Sequence, residues 1–196
     1  MGEVIAIEHL TLDGVMQSPG RADEDTRDGF RNGGWAGPGQ DPVMQEVMGA
    51  HMSSAWSLLA GRTTYEDFAA HWPARKPDPI AEALDRVRKY VASTTLAEPL
   101  AWRNSVLLKG DAVDAVRRLK GELSENLVVF GSGELVRSLL PYGLVDTLVL
   151  LVHPLTLGAG RRLFPATGSA PADYRLTGSV TTGTGVVIAT YRPAGR

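Results

Sequence analysis

Two predicted strand-to-helix junctions carry glycine followed by hydrogen-bond donors. The first lies in LLAGRTTY (58–65) and the second in VVFGSGELV (128–136). Glycine lets the backbone approach a ligand closely, and the free N–H groups at a helix N-terminus attract anions. Arg62 and Thr63 add a cation and a hydroxyl group to the first junction. Both junctions are therefore candidate phosphate-binding turns.

A third junction, VASTT (91–95), places the hydroxyl groups of Ser93, Thr94 and Thr95 directly after another predicted strand. Ligands of open α/β sheets bind beyond the carboxyl ends of the strands. Three such turns at that edge favour an extended cofactor with several phosphates, such as a dinucleotide. The alternative is that each turn is only structural. A Rossmann domain is excluded, because Gly131-Ser132-Gly133 lacks the third glycine and stands too late in the chain.

Hydrophobic periodicity, glycine and proline predict the elements that hold these turns. Because strands alternate with helices up to about residue 145, the sequence predicts an α/β fold with a mostly parallel sheet. Two alternating C-terminal segments, separated by Gly183-Thr184-Gly185, predict an antiparallel hairpin. A single domain over 1–196 is expected. The predicted strands before the hairpin are 3–12, 54–61, 89–93, 105–109, 127–130 and 144–154. One predicted helix starts at residue 41, and the other predicted helices are 62–72, 78–88, 111–123 and 132–140.

The composition argues against several classes of function. The 196 residues carry a net charge of −2 with scattered basic residues, which disfavours nucleic acid or an anionic membrane as partner. There is no cysteine, so thiol chemistry and zinc–thiolate sites are excluded, and the four histidines show no metal-ligand spacing. No apolar run approaches a membrane span. We expect a cytoplasmic protein that acts on a small molecule and holds no metal.

Four motifs, in this order and spacing, resemble the dihydrofolate reductase superfamily. Within it, the chain is similar to a small bacterial branch related to the C-terminal reductase domain of the bifunctional riboflavin biosynthesis deaminase-reductase. The resemblance covers roughly residues 5 to 192. It implies a three-layer dihydrofolate reductase-like fold, with helices on both faces of the central sheet. The motifs are TLDGVMQSPGRADEDTRDGFRNGGW (11–35), GRTTYEDF (61–68), VFGSGELVRSLL (129–140) and LLVHPLTLGAGRRLFP (150–165).

The resemblance also implies NADPH as the cofactor and assigns residues to it. Asp13-Gly14 and the loop as far as Trp35 would cover the nicotinamide and the substrate, so Gly14 and Trp35 are candidate substrate-binding residues. The family tendency and the apolar strand 144–152 indicate a homodimer. The residues implied for the cofactor are Gly61, Arg62, Thr63 and Thr64 for the phosphates, Ser93, Thr94 and Thr95 near the adenosine 2′-phosphate, and Gly131, Ser132, Gly133, Glu134 and Leu135 for the pyrophosphate.

Hydride transfer from NADPH requires a positioned acceptor and a proton source. Asp13 is the first candidate acid, because it leaves the first strand towards the ligand edge; its alternative role is a turn-forming Asp-Gly. Asp41 is a second candidate, with helix N-capping as the alternative. The sequence departs from the related families in two respects. Phe130 stands where many riboflavin-pathway reductases carry Glu. Dihydrofolate reductases carry an acid on the first helix that faces the pterin, and the nearest acids here are Asp41 and Glu46.

These observations predict an NADPH-dependent reductase of a pteridine-like or pyrimidine-like compound. The alternative is a non-catalytic nucleotide- or small-molecule-binding protein that retains the fold. The loop 17–40, rich in glycine, proline and charge, is expected to be a functional lid or disordered.

Overall fold

The computed structural model describes residues 2–75, 77–164 and 171–195. One sheet of eight strands forms the centre of the molecule, in the order β4-β3-β2-β5-β1-β6-β8-β7. The strands are β1 (Val4–Thr11), β2 (Trp56–Gly61), β3 (Lys89–Ala92), β4 (Ser105–Leu108), β5 (Asn126–Phe130), β6 (Thr147–His153), β7 (Tyr174–Thr181) and β8 (Val187–Pro193).

The first six strands are parallel, and β8 and β7 complete the sheet as an antiparallel hairpin. β1 lies between β5 and β6, with Ile7 opposite Phe130 and Glu8 opposite Leu150. The carboxyl ends of β1, β2, β3 and β5 therefore meet at one edge of the sheet. This architecture confirms the predicted dihydrofolate reductase-like fold class.

Five α-helices cover the sheet: α1 (Pro42–His51), α2 (Arg62–His71), α3 (Pro79–Arg86), α4 (Ala112–Glu122) and α5 (Gly133–Leu139). Short 3₁₀ turns lie at Arg27–Gly29, Gly37–Gly39, Pro73–Arg75 and Leu140–Tyr142. α1 and α3 both begin with an aspartate N-cap followed by proline, because the carboxylate accepts the free amides of the first turn. Asp78 accepts from the N–H groups of Ile80 and Ala81 at 2.8 and 3.0 Å.

The alternation of side chains along β1 separates two hydrophobic cores, one on each face of the sheet. Val4, Ala6 and Leu10 pack with α4 and α5. Ile5 and Ile7 pack with α1, α2 and α3. The sheet thus lies between two helical layers, and no helix in the described residues is long and apolar enough to cross a membrane.

Candidate active site

A cavity of about 580 Å³ opens at the carboxyl edge of the sheet. Two of the three predicted phosphate turns line it, namely 61–64 and 131–135. The ends of β1 and β5, the loop after β1 and the helices α1, α2 and α3 supply the rest of the wall. The third turn and the candidates Asp13, Gly14, Trp35 and Asp41 are outside the set of described residues that line the cavity.

The turn after β5 has a left-handed backbone conformation at two successive residues. Gly131 and Ser132 both adopt left-handed conformations, with φ of 64° and 57°. A non-glycine residue rarely adopts this conformation, and turns with successive free N–H groups are a common kind of anion-binding site. A Cβ at Gly133 would lie 2.0 Å from Sδ of Met16, so a larger residue there would require the Met16 side chain to move. At Gly131, Ser132 and Gly133 the turn presents no side chain larger than serine to the cavity.

The turn after β2 is joined directly to it. The N–H of Gly61 donates a hydrogen bond to Oγ of Ser132 at 3.0 Å. Gly61 is the N-cap of α2, and no side chain caps this helix. The backbone N–H groups of the residues that follow Gly61 therefore remain available to a ligand. Thr63 and Thr64 line the cavity beside them, and the guanidinium of Arg62 is exposed, 3.5 Å from Glu66. These donors suit the negative charge and oxygen acceptors of a diphosphate.

Ser93, Thr94 and Thr95 follow β3, which lies next to β2 in the sheet. The hydroxyl of Ser93 accepts hydrogen bonds from the N–H groups of Thr95 and Leu96 at 3.1 and 3.0 Å. The turn is thus ordered by its own side chain at the same sheet edge as the cavity. Its role towards an adenosine 2′-phosphate stays a prediction.

The loop that follows β1 is held over the cavity by ion pairs and hydrogen bonds. Arg21 forms an ion pair with Asp67 of α2. The N–H of Arg161 donates to Oε1 of Gln17 at 3.0 Å. The guanidinium of Arg161 also pairs with Asp28 and with Glu134 of the second phosphate turn. The loop is therefore tied to α2 and, through Arg161, to the turn after β5. Its role as a lid stays a prediction.

Trp35 lies within this loop and is buried. Its indole N–H donates to the carbonyl oxygen of Gln17 at 2.7 Å, and its ring meets the edge of His153 at a centroid distance of 5.3 Å. Trp35 packs with Val15 and Phe30 in a small core of its own. In this structure Trp35 supports the loop from behind the residues that line the cavity.

Asp13 holds a turn that lies far away in the sequence. Its carboxylate accepts hydrogen bonds from the N–H groups of Leu157 and Gly158 at 3.2 and 2.8 Å. The hydroxyl of Thr11 also donates to it, and this bond, followed by the two amide bonds, lowers the pKa of Asp13 to about 2. The group is ionised at neutral pH and has no proton to donate. Gly14 completes the turn with a φ of 77°.

Asp41 is the N-cap of α1, as the sequence predicts. It accepts from the N–H of Val43 at 2.8 Å, and its second oxygen accepts from the N–H of Gly183 in the C-terminal hairpin at 3.0 Å. Glu46, the other acid on α1, is exposed and outside the described cavity wall. The helix therefore presents no carboxylate to the cavity from its described residues.

Glu8 is a cavity residue that the sequence interpretation did not identify. It is 2% exposed, lines the cavity at the end of β1, and its Oε1 has no hydrogen-bond partner. The carbonyl of the preceding Ile7 accepts from the N–H of Gly131 at 3.0 Å, so Glu8 stands beside the second phosphate turn. Burial raises the pKa of Glu8 to about 8. The signal was available, since an acid in the middle of the apolar segment VIAIEHLTL is unusual.

His9, the next residue, also lines the cavity. Its Nδ1 lies 2.8 Å from Nε2 of His153, and one of the two nitrogens donates to the other. Burial first, and the nearby His153 second, lower the pKa of His9 to about 3. The imidazole is thus neutral at physiological pH. Among the described residues, no group of three or more His, Asp or Glu side chains could hold a metal ion.

Comparison with known proteins agrees with this geometry. The family model of the RibD C-terminal domain matches residues 3–188. A protein of Shewanella sp. PV-4 with a proposed place in riboflavin biosynthesis has a crystal structure with a TM-score of 0.68, 21% identity and full coverage of both chains. Dihydrofolate reductase of Enterococcus faecalis, complexed with NADP(H), has a TM-score of 0.62 at 15% identity, with 99% of this chain and 98% of that chain covered.

One curated relative also aligns with the chain. The uncharacterized protein YyaP of Bacillus subtilis is 28% identical over 112 residues, which are 55% of this chain and 58% of YyaP. The match thus spans less than two thirds of that protein. The family match, by contrast, covers nearly the whole sequence, and the protein belongs to the RibD C-terminal domain family.

Proposed function

We propose that the protein is an NADPH-dependent reductase that transfers a hydride to a pteridine-like or pyrimidine-like ring compound. The observation that carries the proposal is the joined pair of turns, in which the N–H of Gly61 is bonded to Ser132 and both turns face one cavity. A family of reductase domains and a dihydrofolate reductase-like fold support this class of reaction. The turn at 93–95, on the neighbouring strand, would receive the 2′-phosphate.

The residues of the two turns would hold the diphosphate of the cofactor. The amides that follow Gly61 and Gly131 would donate to its oxygens, and Arg62 would supply a cation at the exposed rim. The loop that carries Met16 and Gln17 would act as a lid and exclude water from the reacting ring, since ion pairs fix it to α2 and, through Arg161, to Glu134. NADPH, when bound, supplies the hydride.

Glu8 would supply the proton in this reaction. Of the carboxyl groups that line the cavity, it is the one whose pKa burial raises to about 8, so it carries a proton at neutral pH. Asp13 and Asp41 would keep the structural roles that their hydrogen bonds define. A general acid whose pKa lies near the working pH is effective in proton transfer.

We also propose that the protein acts as a homodimer in the cytoplasm, where NADPH is regenerated. The apolar strand predicted at 144–152 is β6, which lies inside the sheet between β1 and β8 and is therefore not an exposed surface for a second chain. The edge strand β7 is instead exposed along nearly its whole length. Leu176 is 52% exposed and Val187, on the paired strand β8, is 40% exposed. An edge strand with apolar side chains is a surface suited to pairing with a second chain.

The test is binding of nicotinamide nucleotides measured by their fluorescence. Arg62→Ala should weaken NADPH binding about tenfold and more than it weakens NADH binding, because the exposed guanidinium would also contact the 2′-phosphate, which NADH lacks. Arg117→Ala is the matched control, because Arg117 is also an exposed helix arginine paired within its helix, with Asp114 of α4. Absence of binding of either nucleotide at millimolar concentration would overturn the proposal.

A non-catalytic binding protein is the second candidate. It is favoured by one observation, that α1 presents no carboxylate to the cavity within the described residues. NADPH binding without oxidation in the presence of any pterin or flavin precursor would support it over the reductase.

A further inference from the structure

One half of the cavity is lined by apolar side chains from three helices. Met44, Met48 and Met52 are spaced four residues apart, so their side chains lie on one face of α1. Met52 is the residue that caps the C-terminus of this helix. All three line the cavity, and Met44 is only 1% exposed. We call this face the methionine wall. Unbranched thioether side chains adapt their shape to a ligand and make favourable contacts with aromatic rings.

Aromatic and aliphatic side chains stand around the methionine wall. Phe68 and Trp72 of α2 line the cavity and meet edge to face, with ring centroids 5.9 Å apart. Phe130 lines the cavity from the end of β5. The three aromatic residues belong to the same hydrophobic cluster as the methionine wall. Ile7, Ile80 and Leu84 add to the apolar lining, and Gln45 of α1 is a polar side chain within it.

Charged groups are sparse in this half of the cavity. In the described residues, α1 and α3 contribute no charged side chain to the cavity wall. On α2, Asp67 is engaged by Arg21 of the lid. Arg75 lies at the exposed end, with its guanidinium 5.1 Å from the ring centre of Trp72. A ring with a cationic edge would therefore find no free carboxylate among these helices.

We propose that the methionine wall and the aromatic side chains facing it bind a flat, apolar ring system. The inference rests on the proposed reductase function and narrows it: the ring to be reduced has an apolar surface and no cationic edge. An apolar ring gains free energy by leaving water for this surface, whereas an unpaired polar edge would lose its hydrogen bonds there. Any anionic substituent would point to the rim, where Arg75 lies.

The test uses the neutral naphthalene dye prodan, whose fluorescence reports an apolar environment, and 6-hydroxymethylpterin as the polar ring of similar size. The full-length protein should bind one prodan per chain, more tightly than the pterin. Met48→Lys should weaken prodan binding by about tenfold or more, because it buries a charge in the wall. Met48→Leu keeps the wall apolar and should retain the affinity within about threefold.

Ala50→Lys is the matched control, because Ala50 is exposed on the same helix, outside the cavity wall, and the substitution adds the same charge. If Met48→Lys does not fold, Met52→Lys at the helix end gives the same comparison. Prodan binding that is weaker than pterin binding, or equal in the lysine variants and the wild type, would overturn the proposal. NADPH is titrated separately: loss of NADPH binding with prodan binding intact would overturn the reductase but leave the apolar compartment standing.

Discussion

Replacing Glu8 with glutamine should change how the stability of the protein depends on pH. In the folded protein burial raises the pKa of Glu8 from 4.5 to about 8. The unfolded chain releases this proton near the ordinary glutamate pKa. Between those two values the folded state therefore binds a proton that the unfolded state has lost, and the wild type loses stability as the pH rises.

The size of the effect follows from the shift. One unit of pKa difference corresponds to about 1.4 kcal/mol, so the wild type should lose about 4 kcal/mol of unfolding free energy through this group between pH 5 and pH 8.5. Glutamine has the same shape but no proton to lose, so Glu8→Gln lacks this contribution. The variant should be close to the wild type in stability at pH 5 and clearly more stable at pH 8.5.

Urea unfolding at both pH values measures this difference, with the gap between variant and wild type as the readout. Using the gap removes the titration of all other carboxyl groups, which both proteins share. Glu46→Gln, at an exposed position of α1, is the control for removing one carboxylate from the surface. A gap that does not change with pH, or a wild type that gains stability relative to the variant at pH 8.5, would refute the assignment of Glu8 as a buried neutral acid.

Three further predictions concern the turns and the edge strand. Gly133→Ala should destabilise the protein by about 1–3 kcal/mol in urea unfolding and weaken NADPH binding, because the new Cβ must displace Met16 into the cavity; unchanged affinity would contradict this. Ser132→Ala should cost about 1–2 kcal/mol, since it removes the acceptor of the Gly61 N–H; equal urea midpoints would show that the bond contributes nothing. Leu176→Asp should convert a dimer to a monomer in light scattering, and a wild type that is already monomeric would exclude the dimer.

Much of the fold was accessible from local sequence signals. Asp-Pro pairs start α1 and α3 as predicted, because capping needs only neighbouring residues. Boundaries were less accurate. The predicted strand 144–154 is in fact Thr147–His153, with Leu144 and Val145 buried ahead of the ladder. An apolar pattern reports burial and does not distinguish a buried residue in a strand from one beside it.

The sequence predicted the candidate site only at positions where the backbone conformation determines the residue type. The glycines at 61, 131 and 133 reveal turns in any context, and these turns line the cavity. The role of Asp13 depends on amides 144 and 145 residues away, which no local pattern indicates. Glu8 interrupts an apolar strand, but its lack of a partner emerges only once β5 and the lid are in place.

Backbone conformation defines one half of the cavity, and side chains define the other half. The proposed cofactor half is defined by main-chain conformation at Gly131 and Ser132, and a Cβ at Gly133 would require Met16 to move. The apolar half is lined by side chains on α1, α2 and α3. Substitutions at Met48 or Ile80 can therefore change the chemistry of the bound ring while leaving both phosphate turns intact.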